Sequence, residues 1–269
     1  MSEMSEPTAP REQEPPVLRE RHGRVELVRL NREKARNAID GPTTKALDAI
    51  FDELAEDDDV WAVVLTGSGE RAFCAGMDLK AFASGQAGDI LASKNGFAGL
   101  AARRFEKPLV AAVNGPALAG GFEIVLSCDL VVAAEHATFG IPEVKRGLVA
   151  AGGGLIRLER VLPRNIALEM ALTGEPISAA RAAALGLVNR VVPGTEVVGT
   201  ALELAEAICN NAPLAVRASK EIMRRARDLD EAAAWKMNGE LTLPVFTSKD
   251  AIEGATAFSE RRQPRWQGA

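Results

Sequence analysis

The sequence predicts an α/β protein with a helical C-terminal region. Three short apolar runs are typical of buried strands: residues 61–66 (WAVVLT), 109–114 (LVAAVN) and 130–134 (LVVAA). From about residue 152 onward, apolar side chains recur at helical spacing instead. Strand and helix therefore alternate first and helices dominate later, which indicates an α/β core followed by helices.

The first half of the chain predicts a mixed series of elements. His22-Gly23 supplies the turn of a β-hairpin, and Pro42 fits the start of a helix. The polar N-terminus is rich in Pro and Glu and lacks the apolar stretch of a signal peptide, which predicts disorder. The predicted order is a disordered tail (1–16), a hairpin (17–21 and 24–30), a helix (43–57), a strand (61–66), an irregular stretch (70–106), a strand (109–114), a helix (122–128) and a strand (130–134).

The second half predicts a helical region with one short strand. A core over residues 17–200 and a helical region over 201–269 follow from this division. The strand covers residues 189–192, and the predicted helices are 152–162, 164–172, 178–185, 198–211, 213–227, 231–240 and 249–259.

Composition narrows the function classes. The chain has 269 residues, 47% hydrophobic and 26% charged, with a net charge of −5. That charge argues against a nucleic-acid-binding protein. No apolar run approaches the roughly 20 residues that a membrane helix needs. The three cysteines form no CxxC pair, which argues against a disulfide framework or a metal site and favours a reducing compartment, the cytoplasm.

Several motifs that could carry chemistry are better explained as structure. Residues 67–72 match a dinucleotide-binding GxGxxG/A pattern, but a Gly-containing loop rather than a helix follows them, which favours a simple turn. His22 and His136 both lie in predicted turns and lack a triad or metal pattern. Cys74 has no basic neighbour in the sequence that would activate it, so packing is the favoured role.

Two stretches have stronger chemical content. In residues 114–123 (NGPALAGGFE), small residues open a helix whose unpaired N–H groups could bind an oxyanion, with Glu123 in its first turn. A Glu that merely complements the helix dipole explains Glu123 equally well. Glu143 follows a strand-like segment and, taken alone, is better explained as a surface carboxylate. Two carboxylates beside one oxyanion site would suit the addition of H and OH to a double bond.

The chain resembles the crotonase superfamily, the enoyl-CoA hydratase/isomerase family. The resemblance runs from about Leu27 to the C-terminus and is carried by residues 30–39 (LNREKARNAI), 73–80 (FCAGMDLK), 107–143, 172–192 and 257–266 (AFSERRQPRW). It implies a crotonase-like spiral of ββα units, with residues 201–269 as a helical trimerisation region. It also implies a homotrimer or a dimer of trimers, an acyl-CoA substrate whose coenzyme A is not a separate cofactor, and no metal.

The resemblance also implies roles for individual residues. The backbone N–H groups of Met77 and Gly120 would form the oxyanion hole, and Glu123 and Glu143 would be the catalytic pair. Glu143 would supply the Cα proton and Glu123 would activate water, although the two titrate together. The residues implied to contact the substrate or coenzyme A are Lys34, Ala35, Arg36, Ala75, Asp78, Leu79 and Lys80. Arg32 lies in the same stretch, and Arg261 and Arg262 would help from a neighbouring subunit; solvated charge explains these arginines equally well.

Having both glutamates favours an enoyl-CoA hydratase. The same pair suits the reverse reaction of a carnitinyl-CoA dehydratase, and an enoyl-CoA isomerase of the same superfamily is a further alternative. A non-catalytic acyl-CoA-binding regulator is the alternative from another class. The chain departs from the family pattern at three places. Met77 replaces a common Ala, and its side chain would narrow the pocket. Ala119 replaces a frequent Gly, which is expected to be harmless, and residues 149–151 replace a turn containing Pro beside the acyl channel.

Overall fold

A computed structural model describes residues 14–91 and 93–269, so most of the predicted tail lies outside the described residues. Within them, one sheet has six strands in the order β1-β2-β3-β4-β6-β9. Strands β1 and β2 form the predicted antiparallel hairpin, and all later pairings in this sheet are parallel. The strands are β1 Val17–His22, β2 Val25–Leu30, β3 Ala62–Gly67, β4 Leu109–Val113, β6 Leu130–Ala134 and β9 Arg190–Val192.

The central strands of this sheet are buried along nearly their whole length. Every residue of β3 and β4 is buried, as expected for parallel strands that helices cover on both faces. The continuous apolar runs in the sequence therefore predict these two strands.

A second sheet of three very short strands positions the site. It comprises β5 Ala117–Leu118, β7 Thr138–Gly140 and β8 Ile177–Ser178, in the order β5-β7-β8. Strands β5 and β7 pair in parallel, and the amide of Ala119 donates to the carbonyl of Gly140 over 2.9 Å. This pairing brings the start of the next helix beside the segment that leads to Glu143.

The helices agree with the sequence patterns in most places. Their bounds are α1 Gly41–Glu56, α2 Leu79–Ala81, α3 Ala87–Leu91, α4 Gly120–Val125, α5 Gly154–Val161, α6 Arg164–Thr173, α7 Ala179–Ala184, α8 Val197–Cys209, α9 Pro213–Ala226, α10 Glu231–Phe246 and α11 Lys249–Glu260.

Three of these predictions need correction. Helix α10 continues to Phe246 instead of ending at residue 240, with Pro244 inside it. Residues 70–106 are not irregular throughout, because α2 and α3 are joined by a π-helical turn, Phe82–Gln86, with a kink at Gly85. Helix α4 begins at Gly120 and ends at Val125, rather than covering residues 122–128. The sequence pattern placed the glycine pair just before the helix, because glycine has a low helix propensity, whereas the structure includes both glycines in the first turn.

Helix α8 packs on the core, and helices α9, α10 and α11 follow it along the chain. Val197, Ala201 and Ala205 of α8 belong to the buried core, so the predicted boundary at residue 200 falls inside this helix. Helices α10 and α11 expose large apolar side chains, including Trp235 and Phe258. Trimerisation through this region stays a prediction. None of the helices in the described residues combines the length and apolar character that crossing a membrane requires.

Candidate active site

Two backbone segments meet closely at the centre of the candidate site. The amide of Leu118 donates to the carbonyl of Cys74 over 3.0 Å, and Cys74 forms a parallel bridge with Ala117. A Cβ on Gly121 would lie 2.1 Å from the carbonyl oxygen of Cys74, which is far inside contact distance. Gly121 is therefore required by this close approach, as the small residues of the motif suggested.

The approach brings the amide of Gly120 beside Gly76, the residue that precedes Met77. Gly120 is the first residue of α4, so its amide has no acceptor within the helix. The neighbours of Met77 on either side bond to Ile39, but the Met77 amide donates to no other residue in the described ranges. A Cβ on Gly76 would lie 3.0 Å from the amide nitrogen of Gly120. The structure therefore brings together the two predicted oxyanion-hole residues.

Ala119 holds an unusual backbone conformation just before α4. Its φ is +52°, in the left-handed region that favours glycine. We expected Ala at this position to be harmless, but Ala119 carries backbone strain. The hydrogen bond from the Ala119 amide to the carbonyl of Gly140 fixes this conformation and with it the start of α4.

Glu123 lies buried in the first turn of α4, with 3% of its surface exposed. Its carboxylate faces residues 152–154, and the amide of Gly154 donates to its Oε1 over 2.8 Å. A Cβ on Gly152 would lie 2.7 Å from Oε2, and one on Gly154 would lie 3.0 Å from Oε1. We call residues 152–154 the glycine cradle, because only glycines leave space for this carboxylate.

Glu143 lies in the short 3-10 helix Pro142–Arg146, directly after β7. The side chain is half-buried, and its Oε2 is buried without a hydrogen-bond partner in the described residues. A buried carboxylate oxygen without a partner is costly, so its free lone pairs point to a ligand or water. Glu143 is therefore only partly a surface carboxylate, and its role in catalysis stays a prediction.

The two carboxyl groups lie in different environments. Burial raises the pKa of Glu123, and the amides of Gly154 and Gly152 and the charge of Arg157 oppose this rise. Burial also raises the pKa of Glu143; its own amide and the charge of Arg146 oppose this rise, whereas the charge of Glu123 adds to it. Glu123 therefore has more donors that favour its charged form, and only Glu143 has a neighbour that disfavours charge.

Comparison with known proteins agrees with this geometry. A family model described as Enoyl-CoA hydratase/isomerase matches residues 20–269. The chain belongs to the enoyl-CoA hydratase/isomerase family. It is 43% identical over 253 residues to the carnitinyl-CoA dehydratase of Shigella flexneri, covering 92% of this chain and 97% of that relative.

Solved structures of this family share the fold. An enoyl-CoA hydratase from Mycobacterium tuberculosis H37Rv is 47% identical, with a TM-score of 0.92 over 95% of this chain and 100% of that one. A carnitinyl-CoA hydratase from Mycobacterium avium is 44% identical, with a TM-score of 0.75 over 96% of this chain and 100% of that one. The predicted family and the crotonase-like α/β fold are confirmed. The chain is a crotonase-family enzyme of the hydratase and dehydratase type.

Residues 34–36, which are implied to bind coenzyme A in this family, lie beside the segment that contains Ala75 and Met77. The amide of Ala75 donates to the carbonyl of Arg36 over 3.0 Å, so the two stretches are adjacent. Lys34 and Arg36 are exposed, and Ala35 is partly exposed. Leu79 and Lys80, at the start of α2, are exposed as well. Their contacts with coenzyme A stay predictions.

Asp78 and Arg32 have structural partners. Asp78 accepts hydrogen bonds from the amides of Lys80 and Ala81 and so caps α2. Burial alone would raise the pKa of Asp78, but these amides and Arg32 hold it below the usual value. Arg32 pairs with Asp78 over 3.1 Å and with Asp40 over 2.8 Å. Its charge is therefore already partnered within the fold, unlike the exposed charges of Lys34 and Arg36.

Other candidates have the bland role that the sequence favoured. Burial raises the pKa of Cys74 to about 12, so this thiol packs and stays protonated. The loop after β3 is a turn, since Asn37 binds the carbonyls of Ser68 and Ala72 and no helix begins before residue 79. Arg262 pairs with Glu253 and Glu260, and a role for it in a neighbouring subunit stays a prediction.

Sequence reasoning missed two residues that shape the site. A Cβ on Gly120 would lie 2.3 Å from the ring of Phe97, so this ring packs directly on the first turn of α4. Arg157, one turn into α5, holds the glycine cradle from below. A run of three glycines followed by an arginine one helical turn later was the available signal for Arg157. Phe97 gave no comparable signal, because it lies in a Gly-rich loop.

The close backbone contact predicts that Gly121→Ala destabilises the protein. The added methyl would collide with the backbone of Cys74, and overpacking of this kind costs about 1–3 kcal/mol of unfolding free energy. Urea unfolding measures the effect. The control is Gly199→Ala on an exposed face of α8, where a Cβ meets nothing within 4 Å and a gain of up to about 1 kcal/mol is expected. Equal stability of the two variants would contradict the contact.

Burial of Glu143 predicts that Glu143→Gln is more heat-stable than the parent at neutral pH. The pKa of Glu143 is raised in the folded state, so folding disfavours its charged form. This cost is present at pH values above the folded pKa and vanishes as pH falls below the ordinary value of about 4.3. Thermal unfolding at several pH values should show the advantage of the variant shrinking toward acid pH. The exposed Glu159→Gln on α5 should show no such trend.

Proposed function

We propose that the chain is an enoyl-CoA hydratase, which adds water to a 2-enoyl-CoA and forms a 3-hydroxyacyl-CoA. One observation carries this proposal: Glu123 is buried, Glu143 is half-buried, the charge of Glu123 acts on Glu143, and the environments of the two carboxyls differ. Adding H and OH to a double bond requires one proton donor and one proton acceptor, and such a pair supplies both.

The substrate's thioester oxygen would bind the amides of Met77 and Gly120. Two fixed N–H groups stabilise the negative charge that develops on this oxygen when a nucleophile adds to Cβ. The glycine contacts keep these donors in place before substrate arrives, so no reorganisation is needed during the reaction. The partial positive charge at the start of α4 acts in the same direction.

The surroundings of each carboxyl support a division of roles. Glu123 receives N–H groups from the glycine cradle and lies near Arg157, which favours its carboxylate form. Glu143 has less support of this kind, from its own amide and the charge of Arg146, and the charge of Glu123 disfavours it as an anion. Glu123 would therefore take a proton from water as the water oxygen bonds to Cβ, while Glu143 gives its proton to Cα. The pair then holds one proton as before, on the opposite carboxyl.

The second candidate is dehydration of a carnitinyl-CoA. Several of the similar relatives are named carnitinyl-CoA dehydratases, and the same carboxyl pair run in reverse would remove water. Isomerisation is less well supported, because moving a double bond requires only one acid/base group and the chain carries two. A non-catalytic regulator is disfavoured for the same reason, since it has no use for two carboxyls buried at a cost in stability.

Replacing either glutamate by glutamine should remove most of the hydration activity. Loss of a general acid or base costs about 10²–10⁴-fold in rate, and glutamine keeps the shape of the side chain. The assay follows the loss of conjugated thioester absorbance with crotonyl-CoA and longer 2-enoyl-CoAs. The exposed Glu159→Gln is the matched control and should keep the parent's rate. Full activity of Glu143→Gln would overturn the proposed mechanism.

A substrate panel separates the candidate reactions. The parent should hydrate 2-enoyl-CoAs, with product identified by mass as a gain of one water. Turnover of carnitinyl-CoA alone would select the second candidate. Double-bond movement without a change in mass would select isomerisation, and tight acyl-CoA binding without any turnover would select the regulator.

A further inference from the structure

Arg157 lies beneath the glycine cradle and donates to two main-chain carbonyls. Its Nη1 donates to the carbonyl of Gly152 over 3.4 Å, and its Nη2 donates to the carbonyl of Ala101. A Cβ on Gly153 would lie 2.3 Å from Nη1, so the guanidinium packs directly against the turn. The planar fork of arginine suits this bridging of two carbonyls, which a lysine could not reproduce.

The two carbonyls belong to two different segments near Glu123. Gly152 is part of the cradle that faces the carboxylate, and Ala101 ends the segment that carries Phe97. The Cβ of Phe97 would lie 3.2 Å from a Cβ on Gly152, and its ring packs on Gly120. Arg157 therefore joins the cradle to the segment that packs on the oxyanion-hole residue.

The other cations of this region have carboxylate partners. Arg160, one turn further along α5, pairs with Asp228 over 3.3 Å, and Lys220 pairs with Asp129 over 2.6 Å. In residues 14–91 and 93–269, Arg157 pairs with no carboxylate within 4 Å, although it is partly buried. Salt-bridge formation therefore does not explain its burial, whereas the cradle does.

We infer that Arg157 is a positioning residue that fixes the glycine cradle around Glu123 and keeps this carboxylate ready to accept a proton, an inference that rests on the proposed function. The guanidinium contacts neither the acyl group nor coenzyme A in this account. It acts through the cradle's N–H groups, which receive their position from the carbonyl that Arg157 holds, and through its charge.

The electrostatic direction agrees with this geometry. Burial raises the pKa of Glu123, and the positive charge of Arg157 opposes that rise. Arg157 is permanently charged, so the effect persists across the working pH range. The other ionisable groups that act on one or the other member of the glutamate pair or on Arg157 are Arg146, Arg160 and the thiol of Cys128.

A cavity beside Arg157 makes the inference testable by chemical rescue. It has a volume of about 520 Å³ and is lined by Phe97, Gly152, Arg157 and Cys128, among others. Truncation of Arg157 would enlarge this cavity beside the cradle. A free guanidinium ion is small enough to enter it and to bind the same two carbonyls.

The experiment compares Arg157→Ala, Arg157→Lys and the control Arg160→Ala in the hydration assay. For Arg157→Ala we expect kcat to fall about 10–100-fold with little change in KM, because misplacement of a catalytic group costs rate. The acidic limb of its kcat–pH profile should move to higher pH. Guanidinium chloride at a non-denaturing concentration should restore part of the rate. Arg157→Lys should keep the position of the acidic limb but not the full rate, and Arg160→Ala should behave like the parent.

A parent-like rate and pH profile for a folded Arg157→Ala would overturn the inference, as would equal stimulation of Arg160→Ala by guanidinium. If Arg157→Ala does not fold, Arg157→Gln and Arg157→Lys decide the question by the same readouts. A parent inactive on every enoyl-CoA would overturn the proposed function alone. The inference is then decided by infrared titration of ¹³C-glutamate protein, with Glu123→Gln identifying the Glu123 band. A higher midpoint in the Arg157 variant supports it, and an unchanged midpoint overturns it.

Discussion

The contact between the backbone of residues 74–76 and the start of α4 is the constraint on which the rest of the site depends. Hydrogen bonding between Cys74 and β5 holds the two segments together, and the absence of a side chain at Gly121 lets them touch. This contact brings the amide of Gly120 beside Gly76, the residue that precedes Met77. It also sets the direction of the first turn of α4, and therefore the position of Glu123.

Burial of two coupled carboxyls is the electrostatic consequence of this arrangement. The folded state disfavours both charges, which lowers stability at neutral pH. The N–H groups of the glycine cradle and the charge of Arg157 offset part of this cost for Glu123 only. Under the proposed function, the same features that weaken the fold would make one carboxyl an acceptor and the other a donor of protons. Conflict between local stability and site geometry is expected where a protein performs chemistry.

The sequence predicted those parts of the fold that depend on local patterns. The buried strands β3, β4 and β6 have continuous apolar runs, and α1 has both helical spacing and Pro42 at its start. The strands β5 and β8 have two residues each, which is too short for any periodic signal. They depend on pairing between distant segments, and the sequence alone does not show that pairing.

The candidate site divides in the same way. Family resemblance named Met77, Gly120, Glu123 and Glu143, although residue patterns alone left both glutamates ambiguous. The burial of Glu143 and the fit of Glu123 into the glycine cradle are tertiary facts, because residues 31 positions apart meet there. The left-handed backbone of Ala119 and the bridge from Arg157 to Ala101 are of the same kind. They arise from contacts that spacing along the chain does not encode.

The stereochemistry of hydration in D₂O shows whether the two carboxyls act together at one site. In this account the two carboxyls act together at one site, one on the water that attacks Cβ and the other on Cα, and both act on the same face of the acyl group. The product should therefore be a single diastereomer, with deuterium at Cα and hydroxyl at Cβ added to the same face, as read from ¹H NMR coupling constants. A mixture of diastereomers, addition to opposite faces or deuterium at Cγ would contradict it.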